Sequence, residues 1–151
     1  MKLDKSFKKL KGDASLRVFF RKRKKKLSSI IVYANKNKKS NLLIYDSINK
    51  ILLKNNIKAP KLLSESYSKN YIEIEDFGDQ TLFDLLKKKG TNKQVILKQI
   101  IRLLGKLQLI QQTKIKDFKK RNYQIPKYHP KILLEEAKLF SDWYVDQYIT
   151  K

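Results

Sequence analysis

An α+β fold is predicted, in which a small antiparallel sheet with helices leads into a segment built from helices alone. Three observations in the 151 residues support this. Strand-like stretches occur four times before residue 76, whereas from Thr81 onward every apolar repeat has helical spacing. Turn-forming residues, among them Gly12, the pair Asn55 and Asn56, and Asn70, separate these stretches. A hydrophobic share of 41%, with 16 Ile, 8 Tyr and 7 Phe, supplies more apolar material than a solvated low-complexity chain carries. A chain of this length can bury roughly 70% of the surface its unfolded form exposes.

Leu3, Phe7 and Leu10 stand at i, i+4 and i+7, which predicts a short amphipathic helix closed by Gly12. Leu16, Val18 and Phe20 alternate with Arg17, Phe19 and Arg21 in a half-buried strand. The lysine-rich run 22–26 then connects it to a second strand over residues 30–33, forming a hairpin. Ser40 can cap a helix whose buried stripe is Leu43/Ile44, Ile48 and Ile51/Leu52, ending near Asn55 and Asn56 ahead of Pro60. Residues 62–67 and 71–75 read as a second hairpin, with Ile72 and Ile74 sharing one face.

Beyond it, Thr81 with Asp84 has capping-box spacing for a helix over residues 82–89, which Gly90 stops. Thr91 with Gln94 repeats that spacing for a longer helix. In this second helix Ile96, Ile100, Leu103, Leu107 and Ile110 line one stripe and Lys98, Arg102 and Lys106 another. A polar stretch spans residues 113–129 without a predicted element. Pro130 suits a first helical turn, and Leu133, Ala137, Phe140, Tyr144 and Tyr148 continue on one side.

Composition narrows the chemistry. The 36 Lys and Arg against 14 Asp and Glu leave a formal charge of +22, a balance that points to nucleic acid or anionic membrane as a partner. However, the cations are 31 Lys and only 5 Arg, and phosphate and base-edge sites lean on Arg. A lysine-rich compositional habit is the better account of the charge, so neither nucleic acid nor membrane is expected as partner. The absence of Cys excludes disulfides, Fe–S clusters and a Cys nucleophile. Only His129 represents its residue type, and four Gly with three Pro exclude collagen-like and linker-like chains. No stretch reaches the apolar length of a membrane span, and residues 1–5 lack the apolar core of a signal peptide, so a cytoplasmic location is expected.

The order helix, hairpin, helix, hairpin and then helices is that of a protein-kinase-like N-terminal lobe followed by the first helices of a helical C-terminal lobe. Gly12-Asp13-Ala14-Ser15-Leu16-Arg17 with Phe20-Arg21, the strand Ile30-Ile31-Val32-Tyr33, Ala59-Pro60-Lys61-Leu62-Leu63, and Ile74-Glu75-Asp76-Phe77-Gly78-Asp79 resemble the aminoglycoside phosphotransferase family. The resemblance is nearest to its branch of bacterial kinases that phosphorylate N-acetylmuramate and N-acetylglucosamine at the anomeric position in cell-wall recycling. The helix from Leu133 to Tyr144, with its Leu-Phe-x-x-Trp pattern, is similar to one in that branch.

The resemblance implies transfer of the ATP γ-phosphoryl group to a sugar or aminosugar hydroxyl, with ATP and Mg2+ as cofactors. Gly12, Asp13, Ala14 and Ser15 would cover the phosphates with backbone N–H groups; a helix stop and hairpin entry is the alternative. Glu75, Asp76, Phe77 and Gly78 would form the hinge whose backbone holds adenine; an ordinary strand end with a glycine turn is the alternative. Asp76-Phe77-Gly78 also spells the magnesium-binding triplet of protein kinases, but it stands before the helices instead of after a catalytic loop. Arg17 and Arg21 are expected on a solvated strand face, and Phe140 and Trp143 in helix packing.

Several family features have no counterpart. The catalytic loop of His, Asp and Asn is missing, as is the later metal-binding Asp; Tyr33 and Ala34 stand where a third-strand Lys is expected. The expectation is therefore an N-terminal portion of a phosphotransferase, with residues 1–78 as small lobe and hinge and residues 79–151 as an incomplete large lobe. No catalytic residue is assigned and no turnover by itself is expected. A rival reading is a basic nucleic-acid-binding module using the lysine runs 22–26 and 36–39, with Tyr33 or Phe19 stacking on bases.

Overall fold

The computed structural model describes residues 7–11, 17–25, 27–127, 129–145 and 148. Five strands form one antiparallel sheet: β1 (Phe7–Lys9), β2 (Arg17–Lys24), β3 (Leu27–Ala34), β4 (Leu62–Ser66) and β5 (Tyr71–Glu75), in the order β1-β2-β3-β5-β4. Helix α1 (Ser40–Lys54) joins β3 to β4 and covers one face. The chain is thus α+β, as predicted.

Alternation explains the core. Ile30, Val32 and Ala34 of β3 and Ile72 and Ile74 of β5 point to the same side, register Ile30 with Ile74 and Val32 with Ile72, and close on Leu42 of α1. The odd-numbered neighbours take the other face. There Glu73 accepts from Lys22 at 3.1 Å, from Ser29 at 2.5 Å and from Ser64 at 3.3 Å, so one carboxylate joins β2, β3, β5 and β4. Burial opposes its ionisation, but these donors and the Lys22 charge together hold it below the ordinary glutamate range.

Several boundaries depart from the sequence expectation. The predicted first helix is overturned at residues 7–9, which form β1 and pair with Lys22, Arg21 and Phe20. An isolated helix this short is marginal in water, whereas the edge of β2 offers unpaired backbone groups. The lysine run is not wholly a connection, since β2 continues through Lys24 and pairs Lys24 with Leu27; Lys25 then turns the chain at φ +55°. In α1 the cap position falls on Lys39, without a side-chain cap bond, and Ser40 is the first helical residue. Its buried face is Leu42, Leu43, Asp46, Ser47 and Ile51, so the helix is rotated from the predicted stripe and buries an acid.

After β5 come α2 (Leu82–Lys87), α3 (Lys93–Gln108), a two-stranded hairpin of β6 (Lys114–Lys116) and β7 (Asn122–Gln124), and α4 (Pro130–Leu139), which runs on as a π-helical turn (Phe140–Val145). The Thr81–Asp84 capping box is present as predicted, while α3 is capped by Asn92 in place of Thr91. The hairpin overturns the expectation of helices alone in this half. Its strands are three residues each, too short to show a period, and its turn is built locally on Asp117. That carboxylate accepts from the N–H groups of Lys119 and Arg121. Ile115 is buried, and Asp46 of α1 accepts from the backbone of Phe118, which seats the hairpin on α1.

None of the residues of α2, α3 or α4 is buried. Among the described residues no helix is long and apolar enough to cross a membrane. Stability should therefore reside in the sheet and α1. Ile72→Ala, at a position with 0% exposure, is expected to cost about 2–5 kcal/mol. Ile101→Ala on α3, at 67% exposure, should stay within about 0.5 kcal/mol. Urea titration followed by circular dichroism checks both values.

Asp46 gives a second expectation. Burial raises its carboxyl pKa, and nearby Asp117 adds to the effect, although Lys50 at 2.6 Å and the Phe118 backbone oppose it. A raised pKa means the folded state holds the proton more tightly, so Asp46 loses stability for the fold as pH rises from the unfolded value toward the folded one. Asp46→Asn should gain stability relative to the parent as pH climbs above about 4, measured by thermal melts across a pH series.

Candidate functional site

Where β5 runs out, the chain leaves the sheet as an extended segment, and this is where the structure gathers its polar chemistry. Strand β2 pairs Arg21 with Ile30 of β3, which turns the Arg21 side chain toward the α1 side of the sheet. Arg21 is only 4% exposed. Its Nε donates to Asp76 Oδ2 at 2.7 Å and its Nη2 to Asp76 Oδ1 at 3.0 Å, a two-pronged pair. Its Nη1 donates to Asp79 Oδ1 at 2.5 Å. The hydrogen bonds it donates to these two carboxylates raise the Arg21 pKa further, so the guanidinium is permanently charged.

Three groups converge on Asp76. It accepts from Arg21, from the Gly78 N–H at 2.9 Å and from the Ser28 hydroxyl. Desolvation pushes its pKa up, but the Arg21 and Gly78 hydrogen bonds and the Arg21 charge outweigh it and hold the carboxyl below the ordinary aspartate value. Gly78 has φ +82°, a left-handed conformation that carries no Cβ penalty in glycine. The turn that bends the N–H of Gly78 back to Asp76 thus depends on the residue type.

A cavity of about 190 Å3 opens beside this junction, lined by Leu10, Phe19, Arg21, Ile30, Tyr45, Pro60 and Ile74 together with Glu75, Asp76, Phe77 and Gly78. That volume lies below the roughly 300–1,000 Å3 of drug-sized ligand pockets, so it suits one ring system. Phe19 and Tyr45 meet edge to face at 6.4 Å, and Lys58 lies 5.0 Å over the Phe77 ring. The walls are apolar while the rim carries backbone polar groups of an extended segment, an arrangement able to hold a flat heterocycle.

The structure brings Glu75, Asp76, Phe77 and Gly78 to one cavity. Gly12, Asp13, Ala14 and Ser15 lie outside the described residues. Arg21 corrects the sequence reading of a solvated face, and the inward parity of β2 is that of Phe19 and Arg21, not of Val18 and Phe20. The signal was legible in principle, because an arginine on an inward position needs a carboxylate, and Asp76 and Asp79 stand at the exit of the central strand. Of the residues named for a nucleic-acid surface, Lys22 is held by Glu73, Lys39 lies 4.5 Å over the Tyr67 ring, and Phe19 packs on Tyr45. Among the described residues no group of three or more His, Cys, Asp or Glu is placed to hold a metal ion. No family model, no curated protein and no solved structure matches this chain.

Removing the arginine tests the junction. Arg21→Gln leaves the Asp76 carboxylate buried without its partner and is expected to cost about 3–5 kcal/mol at neutral pH. Because the folded pKa of Asp76 is depressed, the pair stabilises fully above the unfolded value and is lost as pH falls through the folded one. The difference between parent and variant should accordingly shrink below about pH 4, read from urea midpoints at each pH.

Proposed function

We propose that this chain is the nucleotide-holding portion of an ATP-dependent phosphotransferase acting on a sugar or aminosugar hydroxyl. The observation that carries the reading is the sheet order β1-β2-β3-β5-β4 with α1 inserted between β3 and β4, and a ring-sized cavity where β5 ends. Both features support a protein-kinase-like small lobe with residues 75–78 as its hinge. In this reading Phe19, Ile30 and Ile74 provide apolar cover for adenine. The Glu75 N–H is held by the Lys61 carbonyl and the Gly78 N–H by Asp76, so the remaining backbone groups of residues 75–78 would supply its hydrogen bonds, and Arg21 braces the segment through the Asp76 side chain.

The residues at hand do not fit the metal. Both oxygens of Asp76 are taken by Arg21, so the Asp76-Phe77-Gly78 triplet has no free carboxylate to offer Mg2+. No catalytic step is derived from these residues, and nucleotide binding without turnover is the activity expected of the chain.

Nucleotide protection is the direct test. ADP in millimolar excess should raise the melting temperature, since a ligand at about 100 times its Kd stabilises by about 2.7 kcal/mol. The shift should be the same with EDTA as with Mg2+, and Gly78→Val should reduce it while leaving the sheet folded. An absent ADP effect, with tight binding of single-stranded RNA that weakens steeply as salt rises, would favour the basic module over the phosphotransferase.

A further inference from the structure

A second cavity, of about 340 Å3, lies between α1 and the β6–β7 hairpin, the junction that buried Ile115 and the contact of Asp46 with the Phe118 backbone hold together. Leu43 and Ile44 of α1 and Tyr123 of β7 give it apolar walls. Ser40, Arg121 and Asn122 add hydrogen-bond donors, and Asp117 is the one acid in the lining. That acid is already served. Its Oδ1 accepts from the N–H groups of Lys119 and Arg121, at 2.7 and 3.1 Å, and its Oδ2 from Arg121 Nε at 3.2 Å. Arg121 spends only Nε in this way, so both its Nη groups are open to a further partner. Ser47 is an independent sign of a ligand. It is 0% exposed, and its hydroxyl has no hydrogen-bond partner among the described residues, an uncommon state for a buried polar group. With about 100° of rotation per residue, Ser47 falls between Leu43 and Ile44 on the face of α1, one turn beyond them, and its Cβ tilts toward the helix N-terminus and so toward the cavity.

We propose that this cavity binds a small phosphate monoester with a compact apolar body. Charge and shape select it. The open donors are the Nη edge of a guanidinium, a hydroxyl and a primary amide, which suit a tetrahedral dianion with three terminal oxygens. A cationic ligand would face Arg121 with Asp117 already engaged. A neutral apolar ligand would leave the donors unused, and inorganic phosphate alone would leave the walls of Leu43, Ile44 and Tyr123 uncovered. The volume stands at the lower end of the roughly 300–1,000 Å3 of small-molecule sites, which fits one ring or a short chain beside the phosphate. Lys36 and Lys38, exposed on the turn that leads into Ser40, raise the local concentration of anions. No residue lines both this cavity and the one at the end of β5, so the proposal does not rest on the phosphotransferase reading.

The test is a titration of the isotope-labelled full chain with phenyl phosphate, read from amide chemical shifts. Saturable shifts at Leu43, Ile44, Asn122 and Tyr123 are expected, with a Kd of about 1 mM or tighter. Phenol and inorganic phosphate, titrated singly, should each bind at least about tenfold more weakly, and Arg121→Gln should weaken phenyl phosphate by at least about tenfold. Should that variant loosen the hairpin, Ser47→Ala keeps the test. It removes an unpaired hydroxyl, so the protein should melt no lower, while binding falls by about threefold or more. Lys24→Gln, an exposed cation on β2, should change nothing. The proposal is overturned if phenyl phosphate gives no saturable shift up to about 10 mM, or if inorganic phosphate binds as tightly. It is also overturned if neither Arg121→Gln nor Ser47→Ala weakens binding, or if Lys24→Gln weakens it as much as Arg121→Gln does, which would mean diffuse attraction to the lysine surface. Gly78→Val should leave phenyl phosphate bound; loss of binding there would place the ester in the cavity at the end of β5 and overturn the proposal as well. Phenyl phosphate binding without ADP protection would sink the phosphotransferase reading and leave this one standing.

Discussion

The pairing of Arg21 with Asp76 ties together parts of the fold that the strand ladder alone leaves apart. Strands β2 and β5 are not neighbours, because β3 lies between them at the usual spacing of about 4.8 Å on either side. The Arg21 side chain crosses that width at the end of the sheet to reach the residue that follows β5, and Ser28 of β3 joins the same carboxylate. Taking an arginine and an aspartate out of water costs several kcal/mol for each ion, and the loss is recovered only with good geometry and filled hydrogen-bonding capacity. Here three guanidinium nitrogens have partners, both Asp76 oxygens accept from Arg21, and the Gly78 N–H also donates to Oδ1. The gain is therefore a single conformation for residues 76–79 more than a large net stabilisation.

Glu73 performs a similar task on the opposite face, which gives the sheet a matched pair of acidic fasteners. Asp76 gathers β2, β3 and the exit of β5; Glu73 gathers β2, β3 and β4. On the Asp76 face the apolar layer of Ile30, Val32, Ile72 and Ile74 packs against α1. A cavity that borders such a braced layer keeps its shape when its polar rim is exposed. Asp79 illustrates the gradient from interior to surface, since its side chain is 78% exposed although its Oδ1 lies within bonding distance of the buried Arg21. That second contact is screened by water and adds little energy compared with the Asp76 pair.

How much of this was legible depended on the length and spacing of each pattern. The hairpin of β4 and β5, the capping box at Thr81 and the placement of α1 followed from signals confined to a few neighbouring residues, and the structure has them. Strand β1 was misread because Leu3, Phe7 and Leu10 satisfy a helical spacing that competes with pairing to an edge strand more distant in sequence, Phe7 with Lys22 and Lys9 with Phe20. The rotation of α1 was invisible because Asp46 and Ser47 look like solvent-facing residues until Lys50 and the Phe118 backbone are brought to Asp46. At the candidate site, residues 75–78 were identified from their order relative to the strands, whereas Arg21 was missed because alternation gives two faces without saying which is inward. Local periodicity fixes elements, and partners distant in sequence decide which polar groups are buried.

The surplus of positive charge takes on a more specific meaning once the ion pairs are located. Asp76 and Asp79 serve Arg21, Glu73 holds Lys22, Asp46 meets Lys50, Glu65 meets Lys119 and Asp117 meets Arg121, so the sheet, α1 and the short hairpin employ most of their acids internally. The lysines of α2 and α3 have Asp84 alone among their own residues, and its carboxylate is engaged by the Thr81 hydroxyl. On α3 the cations Lys98, Arg102 and Lys106 take the side of the helix opposite the apolar arc of Ile96, Leu97, Ile100, Ile101, Leu103 and Leu104. Like charge at that density resists self-association in dilute salt, where the screening length exceeds about 10 Å. The same charge accelerates encounter with an acidic surface.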